Sequence, residues 1–197
     1  MPLSGNELIA LLVAISFAAG LNVYATVATL GLLAHANLLA LPPQLHVLSS
    51  WWIIAAAGTL FAVEFFADKV PAFDLIWNAL HTFVRVPVAA LLAWQTTSAL
   101  SPGEQLAATL AGALIAFIAH GGKTAIRSVV TASPEPFSNI SLSLGEDVLA
   151  VSLTWFATVH PFMAAAVASI LVLLALLLIR WVWTALNALF RSAQESL

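Results

Sequence analysis

The chain has 197 residues, 62% of them hydrophobic and only 8% charged, with a net charge of −3 at pH 7. A soluble globular domain carries about 25% charged residues, so the composition excludes an ordinary soluble domain and reads as an integral membrane protein. There is no cysteine, which excludes a disulfide framework, a thiolate metal site and a thiol nucleophile, and no basic tract points to nucleic acid.

At the N-terminus, MPLSGNELIALLVAISFAAG places Glu7, and no Lys or Arg, ahead of its apolar run, where a signal peptide needs positive charge. The segment therefore reads as retained. LPPQLHVLSS, SPGEQ and VHP are clear breaks, and with the other polar joints they give six expected spans: about 8 to 36, 51 to 67, 86 to 100, 105 to 120, 140 to 158 and 162 to 184. No alternating ten-residue segments of the barrel type occur, and a helical bundle is the other fold that satisfies its backbone in lipid. The expected class is all-α. The first segment is long and contains Ser16, Gly20 and Asn22, which fits either a tilted crossing or two half-helices. Two half-helices forming a hairpin would move the N-terminus to the outside.

Trp51, Trp52, Trp94, Trp181 and Trp183 fall near span ends, where interfacial indoles belong. Lys69 and Arg85 flank one connection, Lys123 and Arg127 begin a second, and Arg180 and Arg191 follow the last span, whereas the alternate connections carry no Lys or Arg. This pattern predicts cytoplasmic termini.

Self-alignment adds a second level of organisation. ISFAAGLNVYATVAT from Ile15 matches ISLSLGEDVLAVSLT from Ile140, with Asn22 aligned to Asp147, and IWNALHTFVR ending at Arg85 matches VWTALNALFR ending at Arg191. The expectation is one polytopic domain, 1–197, with copies at 15–85 and 140–191 around a central pair of spans at 86–120. Six crossings make the copies parallel, and a re-entrant segment between them makes them inverted. Transporter folds place substrate between such repeats, on interrupted helices, here Ser16 to Asn22 and Ser141 to Asp147.

An ionisable group at the bilayer centre costs about 2.5–3.5 kcal/mol on insertion scales and normally finds a partner or a cavity. In VEFFADKVPAFD, Glu64 and Asp68 share one helix face, with Lys69 adjacent and Asp74 beyond Pro71. Glu64 lies a turn inside the apolar run, so burial against Lys123 or Lys69 is expected. Asp74, Asn78, His81 and Arg85 form a polar stripe opposite Phe73, Ile76, Trp77, Leu80 and Val84, which suggests a helix lying on the interface or tucked between spans. His120, Lys123 and Arg127 fall at i, i+3 and i+7, one helix face, and Gly121 and Gly122 admit a close backbone. The following SPEPFSN, containing Glu135, reads as non-helical because Pro134 and Pro136 disfavour helix before them, with Ser138 or Asn139 capping the next helix. Glu146 and Asp147 point about 100° apart, and Asp147, aligned with Asn22, is expected to face inward. GKT lacks the upstream glycine of a phosphate loop. No HEXXH or tight acid and histidine spacing marks a metal site, and no cofactor is implied.

SFAAGLNVYAT, VEFFADKVPAFD, HTFVRVP and SPEPFSN with the downstream Glu146-Asp147 together resemble the domain of unknown function 4126 family of small bacterial membrane proteins, over nearly the whole chain. The resemblance implies a compact polytopic protein of the bacterial inner membrane and carries over no catalytic residue, substrate or cofactor. Asn78 stands where the family pattern more usually has an acid.

The leading functional expectation is a transporter of a small solute or ion, an anion being favoured by the basic cluster and a cation or proton route relying on the carboxylates. Its expected site is Asn22, Glu64, Asp68, Lys69, His81, Arg85, His120, Lys123, Arg127, Glu135, Asn139, Glu146 and Asp147. A lipid-phosphate enzyme using Lys123 and Arg127, and a scaffold locked by buried ion pairs, are the alternatives. The lipid bilayer is the expected environment, and homo-oligomerisation is left open.

Overall fold

In the computed structural model, residues 4–39, 41, 43–68, 71–130 and 136–195 are described. They form seven α-helices: α1 (Gly5–Leu21), α2 (Val23–His35), α3 (Trp51–Ala67), α4 (Pro71–Thr96), α5 (Pro102–Val130), α6 (Pro136–Val159) and α7 (Pro161–Glu195), with a 3-10 turn at Pro43–Ser49 before α3. No strand occurs among the described residues.

Local chemistry sets the helix starts. Ser4 and Glu7 form a reciprocal capping box at α1, and α4, α5, α6 and α7 each begin on a proline, whose fixed φ and missing donor suit a first turn. Three helices are long and apolar enough to cross a membrane, within Pro102–Val130, Phe137–Val159 and Pro161–Ala188. A fourth candidate is the 3-10 turn with α3, bent by 64°. This is the make-up of an integral membrane protein, and the Trp residues at the span ends, Trp52 and Trp181 among them, are exposed as interfacial indoles are.

α1 runs through the middle, packed by α4, α5, α6 and α7. Leu11, Ile15 and Phe17 of α1 form the core with Leu153 and Ala157 of α6 and Ala164 and Ala168 of α7. Small residues bring the helices close. A Cβ on Gly20 would lie 2.5 Å from the Ala116 carbonyl oxygen, and one on Gly122 would lie 2.8 Å from the Ala175 Cβ. Both distances are shorter than carbon atoms tolerate, so glycine is what permits the α1–α5 and α5–α7 approach.

The first segment takes the second of its two expected forms, two helices broken at Asn22. Several other sequence expectations need correction. Residues 71–85 and 86–100 do not separate, because α4 continues from Pro71 to Thr96 even through Pro87. Of the two settings expected for α4, it is tucked between spans and does not lie on the interface: Asn78, His81 and Arg85 are buried, whereas Leu80 and Phe83 on the other face are exposed, Phe83 by 81%. In lipid the apolar face is the one turned outward, so amphipathicity alone did not give the direction. The span expected at 105–120 runs on as α5 to Val130, with His120, Lys123 and Arg127 on one helix as expected, and α6 begins at Pro136 rather than after Asn139, so neither Ser138 nor Asn139 is its cap. The second interruption expected at Ser141 to Asp147 does not form, because α6 is continuous.

Candidate functional site

The helix break centres on Asn22, whose backbone is extended (φ −149°, ψ 102°). One residue satisfies both ends. Its N–H donates to the Ala18 carbonyl at 2.9 Å, closing α1, and its Oδ1 accepts from the Ala25 N–H at 2.9 Å, capping α2. Its Nδ2 then donates to Asp147 Oδ1 at 2.8 Å, across 125 positions of sequence. The two residues aligned by the self-comparison are therefore in contact.

The carbonyl of Leu21, left without a helical partner by the break, accepts from Lys123 Nζ at 3.3 Å. Lys123 is the hub of the site. Its ammonium lies 3.1 Å from Asp68 Oδ2, 3.2 Å from Glu146 Oε2 and 3.7 Å from Glu64 Oε1. Arg127, one turn on, donates to Glu146 Oε2 at 2.6 Å and Asp68 Oδ2 at 3.0 Å. Arg85 from α4 pairs with Glu64 Oε1 and donates to Asn78 Oδ1 at 3.2 Å. Helical spacing explains the convergence: Asn78, His81 and Arg85 on α4 repeat the i, i+3, i+7 pattern of His120, Lys123 and Arg127 on α5, and these two helices pack together.

Two histidines flank the ions. Arg85 Nη1 lies 2.7 Å from His120 Nδ1, and since guanidinium can only donate, Nδ1 is the acceptor and Nε2 carries hydrogen. That N–H faces Thr82 Oγ1 at 2.7 Å, and the Thr82 hydroxyl donates to the Asn78 carbonyl at 3.3 Å. His81 is assigned the other way. Its Nδ1 faces the Trp77 carbonyl at 2.8 Å and must donate, leaving Nε2 to accept from the Tyr24 hydroxyl at 3.0 Å.

Of the residues expected from sequence, Asn22, Glu64, Asp68, His81, Arg85, His120, Lys123, Arg127, Glu146 and Asp147 meet in this region, all buried. Both members of the Glu146-Asp147 pair face inward, Glu146 to the cations and Asp147 to Asn22. Asn139 is buried on α6, two turns before Asp147. Lys69 and Glu135 lie outside the described residues. Tyr24, Thr82, Ser143 and the Leu21 carbonyl were missed. Ser143 could have been found, because it stands four residues from both Asn139 and Asp147, whereas nothing about Thr82 or a backbone carbonyl distinguishes it in sequence.

The arrangement is dense in charge but incompletely satisfied. Glu64 Oε2, Asp68 Oδ1, Asp147 Oδ2, Arg85 Nε, Ser143 Oγ and both amide atoms of Asn139 are buried with no hydrogen-bond partner among the described residues. Buried polar atoms are nearly always hydrogen-bonded, so the oxygens have room for a further donor and Arg85 Nε and Asn139 Nδ2 for a further acceptor.

Fold and site together define a helical membrane protein with a broken helix turned onto a buried ionic network. The chain belongs to a family of proteins described as Domain of unknown function (DUF4126), whose model matches residues 9–181. No curated protein and no solved structure matches it.

Proposed function

We propose that the chain is a membrane transporter of a small solute or ion, with the buried network as its substrate or coupling site. The observation that carries this reading is the break at Asn22, which turns a half-helix carbonyl end and a half-helix cap onto ionised side chains. Discontinuous helices of this kind form the ion and substrate sites of many transporters, lining them with backbone groups freed by the break.

Energetics support a working site over a lock. Desolvating each ion costs several kcal/mol, and well-packed apolar residues would hold the helices as well or better. Among the described residues the network has four carboxylates, Glu64, Asp68, Glu146 and Asp147, against three cations, Arg85, Lys123 and Arg127. Each cation already has a carboxylate partner. That balance speaks for a cation or proton rather than the anion suggested by the basic cluster. The lipid-phosphate reading needs Lys123 and Arg127 open at the interface, and their burial weighs against it. In the corresponding topology α1 and α2 make one broken crossing and α3 to α7 five more, giving six. The termini are then cytoplasmic, the two copies parallel, and the bacterial inner membrane the host.

The test is thermal unfolding of the purified protein against a panel of ions, amino acids and lipid headgroups at constant ionic strength, for wild type and Lys123→Met. A saturable shift with one ligand, lost in the variant, is expected. A flat panel with a variant that is merely less stable would replace transport by a structural ion-pair scaffold.

A further inference from the structure

Three polar residues on one face of α6, Asn139, Ser143 and Asp147, recur at every fourth position. They are 3%, 0% and 6% exposed, so each is more than nine-tenths buried. Both amide atoms of Asn139, the hydroxyl of Ser143 and Oδ2 of Asp147 have no hydrogen-bond partner among the described residues. The adjacent Glu146, pointing elsewhere, is fully engaged by Lys123 and Arg127. The row begins near the first turn of α6, beside the exposed Phe137, and ends at the residue that holds Asn22.

Spacing identifies what such a row can conduct. Four residues of α-helix rise about 6 Å, and one water donating and accepting across two oxygen atoms spans about 5.6 Å at about 2.8 Å per hydrogen bond. The reach of one water therefore matches the rise of each step. A metal ion needs several oxygens at about 2.0–2.6 Å at the same time, which a single row at this spacing does not supply. No group of His, Asp or Glu among the described residues is arranged to hold a metal ion.

From this geometry we infer that Asn139 and Ser143 form a water-bridged proton route from the start of α6 to Asp147, whose protonation is read directly by the helix break at Asn22. The inference rests on the transport reading and names its coupling ion as the proton. A proton enters from bulk water, each bridging water accepts one and passes one on, and the Asp147 carboxylate becomes a carboxylic acid at Oδ2. Oδ1 meanwhile keeps its hydrogen bond from Asn22. The charged groups acting on Asp147 come from the surrounding elements: Lys123 of α5, Glu64 of α3 and Asp68 just after it. Glu146 is its neighbour on α6 and is held with Arg127 of α5. From the α1–α2 break only the neutral Asn22 reaches it. Arg180 of α7 is exposed, and His35 at the end of α2 is bonded to the Ser49 carbonyl. Uptake of one proton cancels the excess negative charge of the network.

The test is a pH jump on the full-length protein in nanodiscs, following the carboxylic-acid C=O stretch by time-resolved infrared spectroscopy. Acidification is expected to raise a band that Asp147→Asn removes; the asparagine still offers an oxygen to Asn22, so the fold is kept. Ser143→Ala should slow the rise by about ten-fold, equivalent to about 1.4 kcal/mol of barrier, as should Asn139→Ala, while Ser141→Ala on the exposed face of the same helix should not. A band that persists in Asp147→Asn, or equal rates in Ser143→Ala and Ser141→Ala, would overturn the route. Solute-flux measurements in vesicles separate this from the transport reading. The expected band without any flux would sink transport and keep the proton site, whereas flux without an Asp147 band would do the reverse.

Discussion

Residues 15–22 and 140–147 align with each other, yet one segment breaks and the other does not. In the first, ISFAAGLN, the helix stops at Leu21 and restarts at Val23. In the second, ISLSLGED, α6 passes straight through. The difference lies in how the freed backbone groups would be satisfied. Asn22 has a short amide that caps α2 with its oxygen and still has an N–H pair to spend on Asp147. Lys123 takes the loose carbonyl of Leu21. Asp147 has only acceptors when ionised, and its Oδ1 is already committed to Asn22, so a second break would leave carbonyls buried in an apolar setting, at several kcal/mol each. A break in a membrane helix is stabilised by its neighbours, and here the unbroken segment supplies the stabilising group.

Substitution at aligned positions can break this comparison. The largest effect is expected at the arginines. Arg85 is fully buried against Glu64, whereas Arg191 is exposed. Arg85→Met strands a buried carboxylate and should cost about 3–5 kcal/mol, with Arg191→Met leaving the unfolding midpoint in detergent unchanged. Equal shifts would mean that the two positions are equivalent after all.

The aligned glycines come next. A Cβ at Gly20 would overlap the Ala116 backbone and the Ala119 Cβ, while one at Gly145 meets nothing within 4 Å. Gly20→Ala is therefore expected to destabilise by about 1–3 kcal/mol through overpacking. Gly145→Ala should instead stabilise by about 0.5–1 kcal/mol through the removal of a flexible residue from a helix interior. Denaturant unfolding of the pair reads both signs, and a loss in both would show that Gly145 has a close neighbour too.

The last variant sharpens the comparison at the break itself. Asn22→Ala removes the cap of α2, about 1 kcal/mol by itself, together with the hydrogen bond to the buried Asp147 carboxylate, about 1.5–3 kcal/mol more, with hydrogen exchange at the Ala25 amide accelerating while amides in the middle of α6 stay protected. Uniform loss of protection across both helices would indicate that the break and α6 open as one unit.

Much of this was legible in the sequence. Low charge, long apolar runs and the lack of barrel-type alternation determine an all-helical membrane protein, because in lipid only helices and closed barrels satisfy the backbone hydrogen bonds. The same arithmetic puts Glu64 with Asp68, and His120 with Lys123 and Arg127, on shared helix faces, because a 3.6-residue repeat is fixed by the backbone. Self-alignment singled out Asn22 and Asp147 as matching positions, but that the two touch was decided by the packing. Tertiary structure alone decided the rest. The stripe of Asn78, His81 and Arg85 could face water or the bundle with the same periodicity, and only Glu64 and His120 on neighbouring helices turn it inward. Whether a helix holds or breaks at glycine and asparagine depends on a distant lysine and a distant aspartate. Local sequence fixes which groups a break would expose, but their partners are brought to it only by the packing of α1 against α5 and α6.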